Sequence, residues 1–199
     1  MKKELAEWES KDNSMVEEKA ELRRRFLPEE AHVLDLFCGT GQMYDRAYKG
    51  RVTRYFGVDR EKAHDMRLCA ISDNQEWVRR NDIAGFNVFD LDDYGSPWPL
   101  LYLLLKELGR SEENLTIYLT DGLVIHQKLT GAVTRWVSAT ERLPRKMNVP
   151  GINRFYLDIF GTMLLDMQRR FGRRVERAAY FQNRKRTVYY WYLHLTTTT

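Results

Sequence analysis

The chain has 199 residues, 43% of them hydrophobic and 13% aromatic, enough for one substantial core and too few for a second full domain. Two cysteines, Cys38 and Cys69, argue against a disulfide framework and a four-ligand zinc site and point to a reducing, intracellular setting. The formal charge of +4 is uneven: residues 131–199 hold 13 Lys/Arg against 4 Asp/Glu, a net +9, so residues 1–130 carry −5. That split predicts a polyanionic partner met by the C-terminal third, the plain alternative being a solvated helix face followed by a cationic hairpin.

Residues 2–25 read as a charged surface helix with a sparse apolar set, Leu5, Trp8, Met15, Val16 and Leu22, ending in Arg23-Arg24-Arg25 before Pro28. The start has a basic beginning but no apolar core of a leader peptide, and the longest apolar run, near Leu100–Leu105, is too short for a bilayer. A soluble, cytoplasmic protein with no membrane contact is expected. "AHVLDLF" (31–37) predicts a buried strand entering the glycine turn Cys-Gly-Thr-Gly. "VTRYFGVD" (52–59) predicts a second strand, followed by a helix over 61–72. "WVRRNDI" (77–83) and "GFNVFDLD" (85–92) read as third and fourth strands, "PLLYLLLKELG" as a helix, and "LTIYLTDG" (115–122) as a fifth strand. A helix over 154–171 precedes two aromatic runs joined by Asn183-Arg184-Lys185-Arg186, an antiparallel hairpin. Strand and helix alternation implies a mainly parallel sheet with helices on both faces and ligands at the carboxyl ends of its strands.

Three signals fall at such strand ends. Gly39 and Gly41, spaced G-x-G, let the backbone turn sharply and approach a ligand closely. The third glycine of a dinucleotide fingerprint would fall at Tyr44, which argues against a nicotinamide or flavin. Asp59, one strand–helix–strand unit later, is placed to accept both hydroxyls of an adenosine ribose, and Asp82 in "RRND" is expected near the adenine amino group. The fourth and densest signal is "DLDDYGSPW", with Asp90, Asp92, Asp93 and Tyr94 ahead of Ser96, Pro97 and Trp98. A solvent turn needs one acid before the glycine, and a helix cap one polar side chain such as Asp92 or Ser96. Three acids with an aromatic ring and a rigid turn instead suit the recognition of a flat, amine-bearing ring.

In this order, "VLDLFCGTG", "FGVD", "ND" and "DLDDYGSP" resemble successive motifs of class I S-adenosylmethionine-dependent methyltransferases, and the terminal hairpin resembles that fold's last two strands. "DLDDYGSP" with "LTIYLTD" resembles the tRNA (guanine-N2) dimethyltransferase family, in which the acidic motif reads Asp-x-Asp-Pro-Tyr/Phe-Gly-Ser-Pro and the next strand ends in Thr-Asp. Asp93 stands where that family usually has proline, and 199 residues leave no room for its additional C-terminal RNA-binding domain, as expected of a minimal relative with a different nucleic-acid target. The resemblance implies a Rossmann-like α/β fold with a mostly parallel seven-stranded sheet and a C-terminal antiparallel hairpin. It implies a methyltransferase domain over 31–195; the charged pattern before it makes residues 1–30 a helical extension, and the low-complexity run of threonines makes 196–199 a disordered tail. S-adenosylmethionine is the implied cofactor, held by Asp35, Phe37, Cys38, Gly39, Gly41, Asp59, Arg60 and Asp82. Asp92, Tyr94 and Asp90 are the implied catalytic residues. Substrate contacts fall to Ser96, Pro97, Trp98, Asp121, Arg135, Arg145 and Lys146.

The expected reaction places a methyl group on an exocyclic amine of a nucleic-acid base, with RNA, and guanine N2 in a tRNA-like molecule, preferred on the resemblance. Such an amine is a weak nucleophile, so alignment and a carboxylate that accepts its N–H bonds are the main demands. Covalent activation of a pyrimidine carbon would need a further cysteine near the acids, and none is there. No histidine neighbours the acids in sequence, so no metal is expected. His126, just after "TDGLVI", is the one histidine placed near the pocket. "RWVSATERLPRKMNVPGINR" mixes cations with Trp136, as phosphate contacts with stacking require, or as a solvated connector would also allow. The alternatives that stay open are a methyltransferase for a small molecule or protein side chain, and a cofactor- or nucleic-acid-binding module without catalysis.

Overall fold

The computed structural model describes residues 15–61, 65–93, 95–109, 114–122 and 149–197, with side chains of the last segment described from 156 onward. Short apolar runs become strands here because both faces of the sheet are covered. β1 (His32–Asp35), β2 (Arg54–Asp59), β3 (Cys69–Ile71), β4 (Val88–Leu91) and β5 (Leu115–Asp121) are parallel. β6 (Arg173–Gln182) and β7 (Tyr189–Thr197) form an antiparallel hairpin whose β7 pairs with β5. The order across the sheet is β3-β2-β1-β4-β5-β7-β6, so the chain reverses its direction of travel between β1 and β4. In open α/β sheets that reversal opens the ligand crevice.

Side chains alternate across the sheet. Val33, Val88, Tyr118, Tyr190 and Tyr192 face α1 (Val16–Phe26) and the π-helical turn Tyr44–Tyr48. Leu34, Phe89, Leu91, Ile117, Trp191 and Leu193 pack in the opposite layer with α3 (Trp98–Leu108) and α4 (Val149–Phe171), joined by Val78 of α2 (Asn74–Arg80). The N-terminal helix is thus part of the layered core, with Ala20 fully buried and Phe26 stacked on Tyr192 at 4.1 Å. No helix among the described residues is long and apolar enough to cross a membrane.

Three expectations change. The helix expected over 61–72 is not formed over its second half, where Cys69–Ile71 is β3, a strand too short to show an alternating pattern. The strand expected over 77–83 is the helix α2. Its signal is an N-terminal capping pattern: Asp73 accepts from the backbone N–H of Gln75 and Glu76 at 3.0 and 3.1 Å, and Glu76 stands three residues on. The tail expected at 196–199 is ordered at its start, since Thr196 and Thr197 pair with Arg174 and Arg173. The expected seven strands and terminal hairpin are observed.

Candidate active site

The carboxyl ends of β1, β2, β4 and β5 lie along one edge of the sheet, and each ends in or next to an acid: Asp35, Asp59, Asp92 and Asp121. After β1 the chain passes through Gly39 (φ +42°) and Gly41 (φ +90°), backbone conformations that side-chain-bearing residues avoid. Asp59 meets this loop: its Oδ2 accepts from the Gly39 N–H at 2.9 Å and its Oδ1 from the Glu61 N–H at 3.0 Å. A carboxylate has about four lone-pair positions, so each oxygen of Asp59 keeps one free for a vicinal diol. From behind, Arg67 donates to the carbonyls of Cys38 and Gly39 at 2.8 and 2.9 Å, fixing the loop. A Cβ on Gly41 would lie 2.7 Å from the Arg67 guanidinium carbon, so only glycine permits that clamp. Sequence reasoning missed Arg67 because the segment carrying it reads as helix.

Asp82 is not at this edge. It follows α2 and precedes β4, where its Oδ1 accepts from the Ala84 N–H at 2.9 Å in a turn near the start of the parallel strands. The residues that follow the true β3 are Ser72, Asp73 and Asn74, and the Ser72 N–H bonds the Asp59 carbonyl at 2.8 Å. Asn74 Oδ1 is buried with no hydrogen-bond partner among the described residues, an unused acceptor close to Asp59 in the fold. The signal that marks it is "SDNQE" after a strand, visible only once β3 is placed. Arg60 pairs with Asp73 at 2.5 Å and is largely exposed. Phe37 packs against the core, and Cys38 is buried with its Sγ 3.6 Å from that of Cys69. Burial pushes the Cys38 thiol well above the ordinary range, with Asp35 adding to the shift, so it is a neutral packing group.

At the carboxyl end of β4, Asp90 and Asp92 part ways. Asp90 is fully buried on the α1 face: Arg23 of α1 donates to its Oδ2 and Oδ1, each at 2.6 Å, and the Tyr48 hydroxyl donates at 2.5 Å. The expectation of a catalytic role gives way to a structural one, because Asp90 anchors α1 and is sealed from the crevice. Burial alone would lower the Arg23 pKa, but Asp90 holds it above the ordinary range. Asp35, aligned with Asp90 in the register of β1 and β4, is likewise enclosed, accepting from Tyr55 OH at 2.8 Å and Phe37 N–H at 3.1 Å. Burial, with the Asp90 charge adding to it, pushes Asp35 up to about 7.

Asp92 lies at the crevice edge, 16% exposed. Lys19 of α1 donates to both its oxygens, at 2.8 and 2.9 Å, and Thr120 of β5 donates to Oδ1 at 2.5 Å. Burial would raise the Asp92 pKa; Lys19 and then Arg23 outweigh it and hold the carboxyl below its usual range. Three of its four lone-pair positions are taken, and one remains on Oδ2, with the Arg23 guanidinium 3.8 Å away. Neither Lys19 nor Thr120 was legible from sequence, since both reach Asp92 from distant segments.

Asp121 and Trp98 turn to the other layer. Asp121 Oδ2 accepts from Trp98 Nε1 at 3.0 Å and Tyr156 OH at 2.8 Å, and Trp98 packs edge-on against Phe160 at 5.2 Å. The expected wall of the base pocket, Trp98, is therefore a core residue, and Asp121 is its buried acceptor. Ser96 does not cap α3; its Oγ is buried without a partner among the described residues, and Pro97 precedes the helix. Tyr94, His126, Arg135, Trp136, Arg145 and Lys146 lie outside the described residues. Among the described residues no group of three or more His, Cys, Asp or Glu is placed to hold a metal.

No family model matches the chain, and no curated protein matches it in sequence. Solved structures match it in fold. A Lactococcus lactis protein provisionally described as a hemolysin superposes with TM-score 0.58 at 13% identity, over 93% of this chain and 87% of its own length. M. jannaschii TYW2, solved in complex with AdoMet, gives 0.56 at 9% identity over 92% and 77%. A Burkholderia thailandensis 1,6-didemethyltoxoflavin-N1-methyltransferase, with its substrate and S-adenosylhomocysteine bound, gives 0.52 at 14% identity over 95% and 80%. This is the class I methyltransferase fold. Among eight such structures the chain spans 64% to 90% of the length of each. In that fold the glycine loop and Asp59 flank the crevice on one side of the switch point, and Asp92 flanks it on the other.

Proposed function

We propose that the chain is an S-adenosylmethionine-dependent methyltransferase that modifies an exocyclic amino group of a nucleic-acid base, with RNA, and guanine N2 in a tRNA-like substrate, preferred. The observation that carries the reading is the bond from Gly39 N–H to Asp59 across the carboxyl ends of β1 and β2. It leaves Asp59 two free acceptor positions, the number a ribose diol needs. Asn74 Oδ1, without a partner among the described residues, replaces Asp82 as the group that would receive the adenine amine. The residues present fit the cofactor, and two solved structures of this fold carry it or its demethylated product. Bound there, it would supply a methyl carbon activated by a positive sulfur.

The remaining steps belong to the chain's own groups. The free position on Asp92 Oδ2 accepts one N–H of the incoming amine and orients the nitrogen lone pair. Its negative charge favours the positive charge that grows on nitrogen as the N–C bond forms and the C–S bond breaks. Because Lys19 and Arg23 hold Asp92 low, it does not keep the proton at neutral pH, and that proton leaves to water. Ser96 Oγ, without a partner among the described residues, is a second polar contact for the base, and the resemblance gives its flat wall to Tyr94 and Pro97.

Calorimetry with S-adenosylmethionine is the direct test: the wild type binds, and Asp59→Ala loses binding. Labelled methyl transfer into RNA, DNA and small-molecule pools, followed by nucleoside identification, tests the substrate. Label in a purine amine is expected. Label in a pyrimidine carbon overturns the amine chemistry, and label in small molecules alone replaces the nucleic-acid substrate.

A further inference from the structure

The basic C-terminal third reads in sequence as one polyanion-binding segment, and the fold divides it. β6 is ten residues long, so at about 3.3 Å per residue its ends are roughly 30 Å apart. Arg173 pairs with Thr197 at the end of β7, whereas Gln182 pairs with Tyr189, the residue that also pairs with Asp121. Arg169, Arg170, Arg173 and Arg174 therefore lie at the edge where the parallel strands begin, away from the crevice. The β6–β7 turn, Asn183 to Val188, lies at the edge where β1, β4 and β5 end.

We propose that this turn grips the phosphodiester backbone of the nucleic acid whose base enters the crevice, a reading that rests on the function proposed above. Arg184, Lys185 and Arg186 are all exposed, no acid interrupts them, and none forms an ion pair among the described residues. At the far end Arg173 is fully buried and Arg170 is paired with Asp166 at 2.8 Å, while in mid-strand Arg177 sits over the Phe26 ring at 5.0 Å.

The turn is built to hold its shape. Asn183 Oδ1 accepts from the N–H groups of Thr187 and Val188 at 2.8 and 3.3 Å, and Asn183 Nδ2 donates to Thr187 Oγ1 at 3.0 Å. The Arg186 N–H closes on the Asn183 carbonyl at 2.9 Å. Arg186 has φ +53° and is the one residue other than glycine with positive φ among the described residues. A turn needing only that shape is served better by glycine or asparagine, so the strain marks a cation kept for its charge. Nearby on β6, Tyr180 is 45% exposed and its ring lies on Trp191 at 4.4 Å, which in turn lies on Phe160 at 3.7 Å. This column ends in an open aromatic face three residues before the turn, and cations with an exposed ring are the pairing that single-stranded nucleic acid uses. The turn stands two to three strand spacings from β4, about 10–15 Å, which suits phosphates flanking the reacting base and not the base itself.

The test compares two variants that remove equal charge from the full chain: Arg184→Gln/Lys185→Gln/Arg186→Asn at the turn, and Arg169→Gln/Arg170→Gln/Arg174→Gln at the far edge. Binding to labelled bulk tRNA and to single-stranded DNA of similar length is measured against salt. The turn variant should flatten the log–log slope by about 2 to 3, at about 0.7–0.9 per phosphate contact, and the far-edge variant should leave it unchanged. Flattening with both nucleic acids assigns the contact to the shared backbone, and flattening with RNA alone adds the ribose hydroxyl. Arg186→Asn alone should flatten the slope by about 1 and leave the melting temperature equal or higher, which separates lost contact from lost folding. Equal flattening by both triple variants, no change with the turn variant, or binding to anionic vesicles in place of both nucleic acids would overturn the proposal. Cofactor calorimetry on the same samples keeps the two readings apart. Binding of cofactor without nucleic acid sinks this inference alone, and salt-dependent binding through the turn without cofactor sinks the proposed reaction alone.

Discussion

The Arg23–Asp90 pair makes the N-terminal helix part of the site, and breaking it should be costly in a specific way. The two side chains are 2% and 0% exposed and share two 2.6 Å bonds, with Tyr48 OH on the same carboxylate at 2.5 Å. Arg23→Met preserves length and apolar stem but leaves the Asp90 charge buried without its cation. Removing one partner of such a pair costs about 3–5 kcal/mol, against a total stability of about 5–15 kcal/mol for a domain. Asp90→Asn should also destabilise, because it removes both short bonds to the guanidinium and leaves it only Asp92, 3.8 Å away. The double variant has no buried charge at this point and should be no less stable than either single one, giving a coupling of about 3 kcal/mol or more. Urea unfolding of all four proteins, with the slope checked for constancy, provides the cycle. Hydrogen exchange should show α1 amides losing protection in both single variants, because Lys19 and Arg23 carry its polar contacts to the acids at the end of β4. A cost for Arg23→Met under about 1 kcal/mol, or additivity of the singles within about 0.5 kcal/mol, would refute the buried-anchor argument.

Asp35 should make stability fall as pH rises. Its folded pKa is raised to about 7, so the protonated form is favoured in the native state and its contribution is complete below about 4 and lost as pH passes 7. Asp35→Asn should remove a slope worth at most about 4 kcal/mol over that window, and identical pH profiles for the two proteins would discount the raised pKa. Gly57→Ala should destabilise by about 1–3 kcal/mol, since its Cβ would sit 2.7 Å from Cys69 Sγ and 2.8 Å from Cys38 Sγ, with part of the loss restored by Cys69→Ala. A neutral Gly57→Ala in thermal melts would show that the two thiols can separate. Asp92→Asn should lower kcat by about 100-fold or more with cofactor affinity nearly intact, if its charge acts on the growing ammonium. Unchanged turnover per folded molecule would reduce Asp92 to a partner of Lys19.

The layers and the edge that carries the candidate site are legible in the order of residues along the chain. Apolar runs such as "HVLD" and "LTIYLTD", each ending in an acid, are legible because a strand covered on both faces must be apolar until it leaves the core. G-x-G after β1 and an acid after β2 are legible for a similar reason, as backbone freedom and charge are local properties. The resemblance carried by "DLDDYGSP" led to the fold that the superpositions show, although no sequence comparison matches. How that charge is used depends on segments that meet across the sheet. Asp90 and Asp92 are two residues apart and alike in sequence, yet one is locked to Arg23 beneath α1 and the other keeps a free acceptor position at the crevice. Asp82 lies at the edge where the parallel strands begin, and Asn74 follows a strand at the other edge, because β3 is three residues long, too short for any periodic signal, and the residues after it form a helix in place of the expected strand. Arg173 and Arg186, members of one basic segment, stand a strand's length apart because an antiparallel strand carries its two ends to opposite edges of the sheet. Hydrophobic pattern is a property of neighbours along the chain, whereas the partner and exposure of a charge depend on segments that meet only when the sheet is assembled.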